Sequence, residues 1–235
     1  MRMDCKTVYI SILAVGGAAA DAVIGRQAQE ADRRHAATRR QAIAQRRSLV
    51  ARCLLRDLLQ RTTGIAGHAW DIGQDATGQP RAAHPHGDSA LAVSISHSGA
   101  YAAVATTRLG AIGIDIERHD PERAMAEIAE MTFGADVTEV REAGAFYRLW
   151  CLREAAGKAT GGGLSAAIDL AALTRDAPAI GAWHGGDAAR PWLLAHLEPV
   201  PGYSLAAAVL PTDAAAAAGW SLASLSWQRA EDDPA

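Results

Sequence analysis

The sequence matches itself, imperfectly, at an offset of about a hundred residues, and no other feature constrains the fold as much. Ser98-Gly99-Ala100-Tyr101-Ala102-Ala103-Val104 has a counterpart in Pro201-Gly202-Tyr203-Ser204-Leu205-Ala206-Ala207. A helical pattern closing on Arg61-Thr62-Thr63-Gly64 has another in Lys158-Ala159-Thr160-Gly161. That offset is the length of a small domain, so the 235 residues read as two related halves. The matched pieces are helix ends and hairpins. The expected class is therefore α+β, with the boundary near residues 106–111 and units 1–108 and 109–235.

Strands are most legible before and after that boundary. Val8, Ile10 and Ile12 alternate as a first strand. Leu91, Val93 and Ile95 alternate with small polar residues into Ser96-His97-Ser98-Gly99, and Tyr101 to Thr107 follows. After the turn Arg108-Leu109-Gly110, a period of two puts Ile112, Ile114 and Ile116 on one face and Asp115 and Glu117 on the other. Asp120-Pro121-Glu122 predicts a helix start. Residues 73–87 read as a loop, with Gly78-Gln79-Pro80 and His84-Pro85-His86-Gly87 as turn signals. A last strand is expected near Trp220 to Trp227, flanked by an alanine-rich stretch from Ala214 and a poorly ordered acidic tail.

The chemistry gathers on a helix that the glycines Gly161, Gly162 and Gly163 stop. Ala145, Leu149, Leu152 and Ala156 form its apolar stripe, while Phe146, Trp150, Glu154 and Lys158 climb a neighbouring face at steps of four. As a surface ion pair, Glu154 and Lys158 would be worth about 0.3–0.5 kcal/mol. Of 23 Lys and Arg, however, lysine stands only at Lys6 and Lys158. A lysine kept where the chain otherwise writes arginine suits a compact charge against a phosphate oxygen. Ten arginines lie between Arg26 and Arg61 against Glu30, Asp32 and Asp57, and Ile43, Val50, Leu54 and Leu58 give that region an amphipathic helical stripe. It reads as a solvated basic face or as an anion site.

A net charge of −3 gives no pull toward nucleic acid or an anionic membrane, and no apolar run reaches the length of a membrane span. Cys5, Cys53 and Cys151 are odd in number and far apart, which fits a reducing, cytoplasmic setting. Walker, dinucleotide-glycine and nucleophile-elbow motifs are missing. What remains is three carboxylates, Asp115, Glu117 and Glu154, of the hard-oxygen kind that suits Mg²⁺. With Lys158, the basic region, and Ser96, His97 and Ser98 as hydrogen-bond donors to a phosphate, they describe a metal-bridged displacement on a diphosphate. The plainer alternatives stay open: an exposed strand with two solvated carboxylates, and a histidine satisfied within its own turn.

The motifs Gly113-Ile114-Asp115-Ile116-Glu117, Trp150-Cys151-Leu152-Arg153-Glu154-Ala155-Ala156-Gly157-Lys158 and Ser96-His97-Ser98 resemble the 4'-phosphopantetheinyl transferases. The likeness is to the larger, pseudo-dimeric surfactin-synthetase-activating (Sfp) type, and it spans about residues 5 to 210. It implies two pseudo-symmetric halves with the active site at their interface. It also implies Asp115, Glu117 and Glu154 as Mg²⁺ ligands, Glu154 as the group that takes the acceptor serine's proton directly or through water, and Lys158 on the coenzyme A phosphates. Ser96 and His97 would meet the nucleotide end, and Arg47 the 3'-phosphate. The reaction implied moves phosphopantetheine from coenzyme A to an apo acyl or peptidyl carrier protein, releasing adenosine 3',5'-bisphosphate. Two fused halves imply a monomer, and the arginine-rich half a docking face for acidic carriers.

The chain departs from the family pattern at Arg153 for lysine, Ser94 for asparagine and Gln79 for lysine. It also places Gly157 inside the catalytic helix, at a cost of about 1 kcal/mol relative to alanine. Two other readings are kept: a non-catalytic relative that holds coenzyme A or a carrier, and a metal-dependent phosphohydrolase.

Overall fold

The protein is described by a computed structural model over residues 3–84, 91–133, 142–163, 180–183, 191–213 and 218–228. The alternation read around the boundary becomes strands β4 (Ala92–Ser98), β5 (Tyr101–Thr107) and β6 (Gly110–Arg118). β5 adds to the first strand, β1 (Thr7–Ala14), and β4 to β5, all antiparallel. In the second half β6 pairs with β9 (Tyr203–Pro211) and β9 with β8 (Trp192–Leu197), again antiparallel, with β7 (Ile180–Trp183) outside β8. The order β1-β5-β4 is thus repeated as β6-β9-β8, as the self-match predicts.

The two sheets pack face to face. Val8, Ile10 and Ile12 of β1 and Tyr101, Ala103 and Ala105 of β5 meet Ile112, Ile114 and Ile116 of β6 and Leu205, Ala207 and Val209 of β9. Each sheet is covered outside by one long helix. Helix α3 (Ala42–Thr63) lays Val50, Leu54 and Leu58 on Tyr9, Leu13, Ala102 and Val104. Helix α5 (Ala143–Thr160) lays Cys151, Leu152, Ala155 and Ala156 on Leu194, Ala206 and Ala208. Strands buried on both faces carry no polar alternation, and the alanines of β5 and β9 let the layers close up. Both covering helices end on a left-handed glycine, Gly64 at φ 77° and Gly161 at φ 74°. The result is an α+β helix–sheet–sheet–helix sandwich. The expected last strand is β10 (Ser221–Gln228), which runs parallel to β1 and completes the first half's sheet.

Four expectations need correction. The basic region is three helices, α1 (Gly17–Gln27), α2 (Glu30–Ala37) and α3, rather than one stripe, and Ile43 is 47% exposed. Nor is its basic face simply solvated. Asp32 of α2 accepts Arg52 Nε at 2.8 Å and Arg56 Nη1 at 2.6 Å, all three buried. The stretch read as a loop is largely a hairpin, β2 (Asp71–Gln74) and β3 (Pro80–Ala83), closed by Asp75, whose carboxylate accepts the backbone N–H of Thr77 and of Gln79. Asp120 likewise caps a turn by accepting Glu122 N–H, and α4 (Met125–Phe133) begins only after it. Residues 85–87 of the second turn signal, 214–217 and the tail from 229 lie outside the described residues. Among the described residues no helix is long and apolar enough to cross a membrane.

Candidate active site

β6 turns Asp115 and Glu117 away from the inter-sheet core, on the face covered by α5. Gly113 lets that helix come close: a Cβ there would lie 1.8 Å from the Ala155 carbonyl oxygen. Glu154 and Lys158, one turn apart on α5, then join both strand carboxylates around a single cleft of about 390 Å³. Lys158 Nζ donates to Asp115 Oδ1 at 2.6 Å, to the Ile114 carbonyl at 3.1 Å and to Ser96 Oγ at 3.2 Å. Gln79 of the β2–β3 hairpin holds the other end of the same residue, donating Nε2 to the Lys158 carbonyl at 2.7 Å. The glutamine therefore closes the hairpin onto α5, satisfying an orphan carbonyl of its last turn.

The electrostatics follow from crowding. Burial, then the Asp115 charge, pushes the Glu154 carboxyl up. Burial also raises Glu117, against the hydrogen bond its Oε2 accepts from Ser98 at 2.8 Å. Burial and the neighbouring cations, Arg47 foremost, lower His97 and favour its neutral form. Asp115 Oδ2 is buried with no hydrogen-bond partner. Among the described residues no three carboxylate, imidazole or thiol groups stand as a ready-made metal cluster. The donor set nevertheless fits Mg²⁺: hard oxygens that repel one another, and an orphaned carboxylate oxygen on the buried member.

The serines differ from the sequence reading. Ser96 donates its hydroxyl to Asp115 Oδ1 at 2.9 Å and Ser98 to Glu117, so both protons are committed to carboxylates rather than presented to a phosphate. His97 lines the cleft. Arg47 does not; it lines an adjoining cavity of about 730 Å³ across Glu117, with its Nε buried and unpartnered. The arginine wall of the cleft is instead Arg39 and Arg52, with His35 beside them. The arginine excess announced such a wall, but no spacing rule said which of ten arginines would face it. Arg153 is turned toward α4, donating to the Thr132 carbonyl.

A family model described as the 4'-phosphopantetheinyl transferase superfamily matches residues 111–209. A second, described as 4'-phosphopantetheinyl transferase, N-terminal, matches residues 21–109. No curated protein matches the chain. The two models meet at the β5–β6 turn and between them take in both walls of the cleft. The chain belongs to the 4'-phosphopantetheinyl transferase superfamily.

Proposed function

We propose that the chain is a Sfp-type enzyme that moves 4'-phosphopantetheine from coenzyme A to a serine of an apo acyl or peptidyl carrier protein. The reading includes a monomer acting in the cytoplasm, with units 1–108 and 109–235 sharing one site. One observation carries it: Asp115, Glu117, Glu154 and Lys158 line a single cleft, opposite His97 and the arginines of the other half.

In the reaction the carrier serine oxygen attacks the phosphorus that bears the pantetheine arm. The bond to the bridging oxygen breaks, and adenosine 3',5'-bisphosphate leaves. Asp115, Glu117 and Glu154 would hold Mg²⁺, which neutralises charge on the diphosphate. Lys158 adds a fixed positive charge beside the same oxygens. Glu154, whose carboxyl burial and the Asp115 charge hold above its ordinary value, would take the serine proton. Neutral His97 offers a hydrogen bond, and Arg39 and Arg52 bring charge to the anionic nucleotide end.

Intact-mass measurement of an apo carrier after incubation with coenzyme A, Mg²⁺ and the protein tests this. We expect a gain of one phosphopantetheine, abolished by EDTA and reduced at least about a hundredfold in rate by Glu154→Ala. A specific observation favours a second reading, the non-catalytic binder: the Lys158 ammonium already neutralises Asp115. Coenzyme A binding without mass gain on either carrier class would decide for it.

A further inference from the structure

β4 and β6 are end strands of different sheets, yet they lie side by side. Because β6 is antiparallel to β9, every second β6 amide points away from its ladder toward this open edge. Three serines on alternate β4 positions answer those amides. Ser94 Oγ accepts the Ile114 N–H at 3.0 Å, Ser96 Oγ the Ile116 N–H at 3.3 Å and Ser98 Oγ the Arg118 N–H at 3.1 Å. Hydroxyls thus stand in for a backbone ladder along the join between the halves.

Each hydroxyl still has one proton to give, and the register decides where it goes. Beside Ser94 stands Gly113, which has no side chain. Ser96 donates to Asp115 Oδ1 at 2.9 Å, and Ser98 to Glu117 Oε2 at 2.8 Å. Hydrogen bonds to a carboxylate are short, strong and directional.

We propose that Ser96 and Ser98 are positioning residues for Asp115 and Glu117, so that the seam between the halves sets the direction of the two strand carboxylates. A hydroxyl can donate correctly only while its oxygen is held by the β6 amide, so the site takes shape as the sheets dock. The metal-binding arm of the test rests on the function proposed above; the structural arm does not.

Ser98 is the cleaner probe, because Ser96 also meets Lys158. Ser94, with its amide but no carboxylate, is the internal control. The experiment titrates Mg²⁺ calorimetrically into the full chain with coenzyme A present, for Ser94→Ala, Ser98→Ala and Ser98→Thr, alongside urea unfolding. Both alanine variants should lose stability, since each leaves an amide without its acceptor. Only Ser98→Ala should weaken Mg²⁺ binding, by about tenfold, with Ser98→Thr restoring it. Equal weakening in the two alanine variants, or none in Ser98→Ala, would overturn the proposal and leave the seam purely structural. Should Ser98→Ala not fold, Ser98→Cys, a weaker donor of similar size, must show a several-fold loss; unchanged affinity there overturns the proposal equally. If the wild-type chain takes up no Mg²⁺, the functional reading fails while the positioning one is still decided. A crystal structure of Ser98→Ala with the Glu117 carboxylate in its present direction refutes it, and a turned carboxylate upholds it.

Discussion

Lys158 is the residue on which most of the site converges. Its ammonium is the direct charge partner of Asp115, whose side chain is 5% exposed. Lys158→Met would leave that carboxylate buried and uncompensated, at a cost of about 3 kcal/mol in urea unfolding, with transfer lost as well. Mg²⁺ should recover part of the stability, which a neutral Asp115→Asn variant would not show. A second residue reports on pH. Burial holds the His196 imidazole down at about 4, and its Nε2 is buried without a partner. An unfolded histidine near 6.5 binds its proton first, so between those values the unfolded state holds more protons and stability is lost as pH falls. His35, His97 and His119 are lowered too and act in the same direction, whereas the raised Glu117 and Glu154 oppose it at the acid end. Unfolding at about pH 7 and about pH 5 should show a drop that His196→Leu reduces by on the order of 1 kcal/mol, after discounting for partial exposure.

At the scale of elements, the contact of α5 with β6 is the joint that matters. Adding Cβ at Gly113 drives it into the Ala155 carbonyl and to 2.8 Å from the Ala159 nitrogen. Backbone cannot rotate aside, so Gly113→Ala should push the helix off the strand. We expect about 3 kcal/mol lost in urea unfolding and a slowed transfer, because Glu154 and Lys158 would part from Asp115 and Glu117. Gly157 is the companion case. Its substitution looks like a helix-propensity gain, but a Cβ there would lie 2.2 Å from the Gly163 carbonyl oxygen. These joints explain what could be read from the sequence. Asp115, Glu117, Glu154 and Lys158 were legible because a period of two and a step of four are local geometry. The serine seam and the Gln79–Lys158 bond were not, since each links residues whose only relation is tertiary. The β2–β3 hairpin escaped for another reason. Its strands are four residues each, and what closes it is one aspartate side chain rather than a hydrophobic pattern.

For the whole molecule, the self-match reads as two halves and the strand order β1-β5-β4 recurs as β6-β9-β8, but the face-to-face packing is not written in any one segment. Alternation says that Ile112, Ile114 and Ile116 share a face; only the assembled sandwich shows that face meeting Val8, Ile10 and Ile12. The buried arginines belong to this scale as well, since α2, α3 and the β2 carbonyl of Ile72 must all be in place before Arg52 is satisfied. The same holds for β10, which crosses back to shield β1. Truncation before Ser221 would bare the β1 edge and remove Leu222 from the inter-sheet core. We expect a lower unfolding midpoint and concentration-dependent aggregation by light scattering, since an unprotected edge recruits other chains.

That return also fixes an order of events during synthesis. β1 is made well before its parallel neighbour, with the strands and helices of the second half between them. At roughly 5–20 residues per second, the nascent first sheet waits on the order of ten seconds or more with one side open. Through that interval the growing chain depends on α1 and α3, already made, to cover what they can, while the edge itself stays exposed to chaperones and to neighbouring nascent chains. A sheet closed by so distant a strand is sealed only once that strand has been made.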